Sequence, residues 1–149
     1  MGDTRWSAAD QQSYCRCARS QPFSASENLV FEGKRTKAYE MMSCYEGLLE
    51  LYKVTGNPLY LSVVEKTVGH IVREEINVAG SGSAFECWYG GKERQTQPTY
   101  HTMETCVTFT WMQLCNRLLQ MTGNSLYADY METAIYNALM ASLKRMLRK

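Results

Sequence analysis

Glu86, Glu104 and Cys106 are the side chains of this 149-residue chain whose types and positions could do chemistry together. Glu104 and Cys106 stand two apart where a helical pattern begins, and the helix dipole there favours both a carboxylate and a thiolate. If the backbone is still extended at that point, both side chains face the same way and can share one metal ion. Glu86 lies two residues before Trp88, and an apolar wall beside its carboxyl would favour the protonated form that a general acid needs. Each residue also has a plainer reading. Glu104 is well placed as an ordinary acid in a helical first turn. A lone Cys106 more often packs as a small buried side chain, and Trp88 and Tyr89 can simply anchor a loop. His70 and His101 have no partner at ligand spacing and read as structural, while Cys15 and Cys17 form only a weak CxC metal signal. Cys44 and Cys115 fall on apolar faces and are expected in the core.

The elements that must position these residues are announced by an internal repeat. Thr55-Gly56-Asn57 recurs as Thr122-Gly123-Asn124, 67 positions later. At the same offset Leu51 meets Leu118, Leu59 meets Leu126, Tyr60 meets Tyr127 and Glu65 meets Glu132. The helical period from Lys37 onward puts Met41, Cys44, Tyr45, Leu48, Leu51 and Tyr52 on one stripe. Gly56 can adopt the left-handed backbone that ends this helix, Asn57 can cap the next, and Pro58 suits its first turn. The second helix turns Leu61, Val64, Val68, Ile71 and Val72 inward. The second copy repeats the scheme with Val107, Trp111, Leu114, Leu118 and Met121, then Met131, Ala134, Ile135, Ala138 and Leu139.

The predicted fold is therefore all-α, two antiparallel helical hairpins at about residues 37–76 and 105–143. A Gly-rich site loop, 77–104, separates them, and an irregular polar segment, 1–33, precedes a domain at 34–149. A single hairpin has little to bury its apolar stripe against, so such units stack into arrays or rings. A loop of that length between helices is usually functional or disordered, and Phe85, Trp88 and Tyr89 speak against disorder.

Sixteen Lys and Arg against fifteen Asp and Glu leave a net charge of +1, which argues against nucleic acid or a charged membrane surface as partner. No stretch approaches the roughly 20 apolar residues of a membrane span. No secretory signal is visible, which leaves the cytoplasm as the default expectation. Six Cys without framework spacing read as free thiols or metal ligands rather than a disulfide scaffold.

The run HTMETCVTFTWMQLCNRLLQMTGNSLYADYMETAIYNALMAS, residues 101–142, resembles the catalytic domain of glycoside hydrolase family 127, the β-L-arabinofuranosidases. AYEMMSCYEGLLELYKVTGNPLYL (38–61) and GSGSAFECWYGGK (80–92) are similar to the same family, so the likeness spans about residues 36–142. It implies part of an (α/α)6 barrel and a carbohydrate substrate. It also implies a zinc ion held by one glutamate and three cysteines, one of them the nucleophile. Glu104 and Cys106 match the first two ligands, and Glu86 matches the general acid/base, with Glu93 the lesser candidate. Trp88, Tyr89 and His101 are then expected to face the sugar. The family's adjacent Cys-Cys pair, which holds the nucleophile, is absent from this sequence.

The implied chemistry is retaining hydrolysis, with a thiolate in place of one of the usual two carboxylates. With half the zinc shell present, the expectation is a fragment that binds zinc weakly and turns over little or no aryl arabinofuranoside. Two other readings stand beside it. One is an inactive helical-repeat piece for binding or assembly; the other is a different carbohydrate-active enzyme of α/α-toroid fold. Two hairpins without neighbours would also leave apolar faces that promote self-association.

Overall fold

A computed structural model describes residues 37–96 and 102–144. Helix α1 is Ala38–Thr55 and α2 is Pro58–Glu74. After the loop and a short 3-10 turn, Lys92–Thr96, come α3, Thr105–Thr122, and α4, Leu126–Thr133. The chain continues through a π-helical turn, Ala134–Leu139, into α5, Met140–Lys144. Among the described residues only isolated bridges stand in for β-structure. The expected pair of hairpins and the loop between them are all present.

The repeat is reproduced bond for bond at both corners. Gly56 and Gly123 take nearly the same left-handed backbone, φ 67° and 69°, each with ψ 7°. The Gly56 N–H donates to the Tyr52 carbonyl and the Gly123 N–H to that of Leu119, both at 2.8 Å. The side chains of Asn57 and Asn124 then accept from the N–H of Leu59 and Leu126, at 3.0 and 3.1 Å. A left-handed residue releases the old helix and an Asn side chain satisfies the free amide of the new one. Thr-Gly-Asn is thus a complete corner in three residues.

The hairpins join through their first helices, since α1 packs on both α2 and α3, and α3 packs on α4. Glu50 and Arg117 are equivalent positions of the two copies and pair across the α1–α3 contact. Arg117 also reaches Glu46, its Nε 3.0 Å from Oε2. Beneath this bridge the core holds Met42, Leu49, Val64, Val68, Ile71, Val107, Trp111, Leu114 and Leu118. Each large apolar side chain buried there contributes about 1.5–3 kcal/mol.

Three of the expected stripes are inward as read, but that of α1 is rotated. Its buried residues are Ala38, Met42 and Leu49; Met41, Tyr45 and Leu48 are only partly covered, and Leu51 is exposed. Cys44 is exposed rather than in the core, whereas Cys115 is fully buried as expected. Apolar residues lie almost all round α1, so periodicity alone could not choose the face that meets α2 and α3. Burial pushes the Cys115 thiol above its ordinary range.

The π turn has no counterpart in α2 and begins where the site loop touches the second hairpin. A Cβ on Gly80 would lie 2.7 Å from the Ala134 backbone nitrogen, and Gly80 itself has φ 79°. Only glycine fits there, because any side chain would meet backbone and adopt a left-handed conformation at once.

Candidate active site

The site loop is held at successive points on both hairpins. Past Gly80, the Ser81 hydroxyl meets that of Thr108 at 2.7 Å, in the interior. Gly82 packs against the Trp88 ring and the Glu75 carbonyl, which together leave no space for a Cβ. The Ser83 carbonyl accepts from the Met103 N–H and the Thr102 hydroxyl, both at 3.1 Å. The Tyr89 hydroxyl pairs with that of Thr102 and accepts from the Asn77 side chain at 3.3 Å. Trp88 and Tyr89 are thus the loop's anchors, 1% and 6% exposed, and their rings pack inside rather than face a sugar.

Glu104 is the junction of loop and helix. It holds the cap position of α3, with extended backbone, yet its side chain makes no hydrogen bond to its own helix. The carboxylate turns back to the loop instead. One oxygen accepts from the Glu86 N–H at 2.9 Å and the other from the Ser83 hydroxyl. Glu104 is thus a helix-end acid whose donors come from 18 and 21 residues upstream, so it also ties the loop to α3. Cys106, the second residue of α3, is exposed.

Glu86 is fixed through its backbone while its side chain remains open. Its N–H goes to Glu104 and its carbonyl accepts from the Ala38 N–H at 2.8 Å, tying it to the start of α1. Its carboxylate is paired with the Lys37 ammonium and is 60% exposed. The same hydrogen bond raises the Lys37 pKa above its ordinary value. Trp88 packs against Gly82, while the Glu86 side chain stays mostly at the surface. Left-handed backbone at Phe85 and Glu86, φ 53° and 65°, turns the chain between them and the core.

Ser83, at φ 91°, and Met103, at φ 54°, share that unusual conformation, so all four positive-φ residues other than glycine among the described residues lie in this loop. Such strain of about 1–3 kcal/mol each persists only where surrounding bonds enforce it, and it gathers at functional sites. His101, the remaining candidate for sugar contact, lies outside the described residues.

Three participants escaped the sequence reading. Lys37 and Ser83 carry no local signal. Glu75 does: it continues the Val64, Val68, Ile71 stripe, so a carboxylate sits on an apolar helix face. It is fully buried and accepts from the Gly90 and Gly91 N–H groups at 3.0–3.1 Å. Burial raises its pKa, opposed by those amide donors and that of Tyr89.

Residues 12–146 match the family described as Beta-L-arabinofuranosidase, GH127 catalytic domain. The chain belongs to that family. The match begins upstream of the boundary expected near residue 34, in residues outside those described. Among solved structures, a GH127 beta-L-arabinofuranosidase from Geobacillus stearothermophilus T6 is similar, with TM-score 0.60 and 19% identity. The likeness covers 87% of this chain and 22% of that one, so the chain spans about a fifth of the length of the solved relative. Its fold is thus part of the family's α/α toroid. No curated relative matches the chain.

A zinc ion is testable against the residues at hand. Glu104 and Cys106 have the right donor chemistry, a carboxylate oxygen and a thiolate sulfur. Among the described residues, however, no three His, Cys, Asp or Glu side chains converge. Two donors fall short of the three or four protein ligands that zinc sites use, so these residues fit half a site.

Proposed function

We propose that the chain is the acid/base-bearing portion of a retaining glycoside hydrolase acting on β-L-arabinofuranosides or related plant glycans. The observation that carries this reading is the Glu104 carboxylate, which leaves its own helix to hold the Glu86 backbone and Ser83. The family membership supports the substrate class.

In this reading Glu86 donates its proton to the glycosidic oxygen as the leaving group departs. It then takes a proton from the water that releases the sugar. The pair with Lys37 is the arrangement of the ionised form, the one required in the second step. The Ala38 and Glu104 contacts fix the Glu86 backbone while leaving its carboxylate open to solvent and to substrate. Glu104 and Cys106 are two of the donors for zinc, which when bound would hold sulfur as thiolate. Attack at the anomeric carbon is assigned to no described residue. Trp88 and Tyr89 act by anchoring the loop.

The test is cleavage of an aryl β-L-arabinofuranoside by the natural gene product, with the anomeric configuration of the first-formed sugar read by NMR. Retention in the wild type, with loss of at least about 100-fold in Glu86→Gln, is expected for a general acid/base. An inverted product, or an active Glu86→Gln variant, would overturn the reading.

A noncatalytic assembly role is favoured by a different observation. Val54, Val78 and Tyr136 are 84%, 98% and 69% exposed, apolar surface that a partner would cover in an assembly. Sedimentation that remains monomeric at high concentration would count against it.

A further inference from the structure

The geometry points to Glu75 as the positioning residue of the active-site loop: its buried carboxylate clamps the Gly90–Gly91 turn and so fixes the segment that carries Glu86. The inference rests on the reading of Glu86 as the acid/base, but its structural content stands independently of the sugar.

Glu75 closes α2, its N–H donating to the Ile71 carbonyl at 2.8 Å, so its backbone is part of the rigid first hairpin. Its side chain is fully buried, and both carboxylate oxygens are used. One oxygen takes the N–H groups of Gly90 and Gly91 together, while the other takes that of Gly90 alone. Two successive amides converge on one carboxylate where the chain makes a concave turn. Gly90 and Gly91 have φ 81° and 118°.

The Glu75 backbone works on the same loop, since its carbonyl would lie 2.9 Å from a Cβ on Gly82, beside the Trp88 ring. One residue therefore touches the loop on both sides of Glu86, at 82 and at 90–91. The neighbouring Glu74 carbonyl adds a third tie by accepting from the Gln95 side chain at 2.8 Å. Between these ties the chain passes through left-handed Phe85 and Glu86. Such a conformation holds only if both ends are pinned. The Glu104 and Ala38 contacts pin the near end, and Glu75 pins the far one.

Amide hydrogen exchange on the 149-residue chain tests this, comparing wild type with Glu75→Met and Glu75→Gln. Methionine keeps the bulk but removes both acceptors, whereas glutamine keeps one. In Glu75→Met, exchange at Gly90, Gly91 and Glu86 should accelerate at least tenfold while the amides of α1 and α3 remain as protected as in the wild type. Glu75→Gln should restore much of the protection. Unchanged exchange at Gly90 and Gly91 in Glu75→Met would overturn the inference. So would an equal loss of protection along all helices in both variants, since Glu75 would then hold the whole fold. No sugar enters this experiment. Failure of the natural gene product to cleave arabinofuranosides, with the exchange pattern as expected, would sink the proposed function and leave the clamp standing.

Discussion

Ser83 gives a sharp test of how the site is held, because one side chain carries two effects of opposite sign. Its hydroxyl is buried and donates to the Glu104 carboxylate. A hydrogen bond to a charged acceptor contributes about 1.5–3 kcal/mol, so Ser83→Ala should lose about 2 kcal/mol. Its backbone bonds to Met103 and Thr102 survive the change. Ser83→Gly removes the same hydroxyl but also relieves a non-glycine residue at φ 91°. Left-handed backbone costs an L-residue about 1–2 kcal/mol relative to glycine, enough to offset glycine's extra freedom when unfolded. The glycine variant should therefore be the more stable of the two, the reverse of the usual order.

Urea denaturation with a constant slope resolves this. For slopes of about 2 kcal/mol per molar, the alanine midpoint should fall by about 1 M. The glycine midpoint should fall between those of alanine and wild type. An alanine variant as stable as the wild type would mean the Ser83–Glu104 bond is worth nothing. A glycine variant less stable than alanine would mean the loop is not strained where we place the strain.

Other expectations follow from single contacts. Gly80→Ala forces a Cβ to within 2.7 Å of the Ala134 nitrogen and should cost about 2–5 kcal/mol by thermal unfolding, from overpacking and left-handed strain together. Asn57→Ala and Asn124→Ala each remove one capping bond and should cost about 1 kcal/mol apiece. A large inequality between the two would contradict the equivalence of the corners. Burial raises the folded pKa of Glu75 above its ordinary 4.5, so the folded state favours the protonated form. That contribution is complete below 4.5 and is lost as pH rises through the raised value. The stability of the wild type relative to Glu75→Gln should accordingly increase as pH falls through that window; a decrease would show that the amide donors outweigh burial.

The corners were legible in the sequence because Thr-Gly-Asn encodes them locally: a glycine for the left-handed residue, an asparagine for the free amide. Three helix faces were legible because their apolar residues fall on one stripe. Helix α1 was not, since Met41, Met42, Leu48 and Leu49 offer two adjacent faces and only the neighbouring helices choose. Glu86 and Glu104 were found by type and resemblance, but the bond joining them was invisible. It depends on left-handed turns at Phe85 and Glu86, residues with no intrinsic preference for them. The burial of the Trp88 ring was invisible for a related reason: it packs against Gly82, a neighbour that only the folded loop brings to it. Glu75 could have been noticed as an acid on an apolar stripe, although nothing local says what it binds.

If the loop–helix junction forms one site, Glu104 and Cys106 are its metal-side donors. Alkylation of the individual cysteines, followed by mass spectrometry with and without excess zinc, tests it most directly. Cys44 and Cys106 are exposed and Cys115 is buried, so without zinc the first two should react readily and the third should not. Zinc should slow Cys106 selectively, leave Cys44 unchanged, and lose this effect in Glu104→Gln. Zinc that protects neither thiol, or protects Cys106 equally in the Glu104→Gln variant, would contradict it.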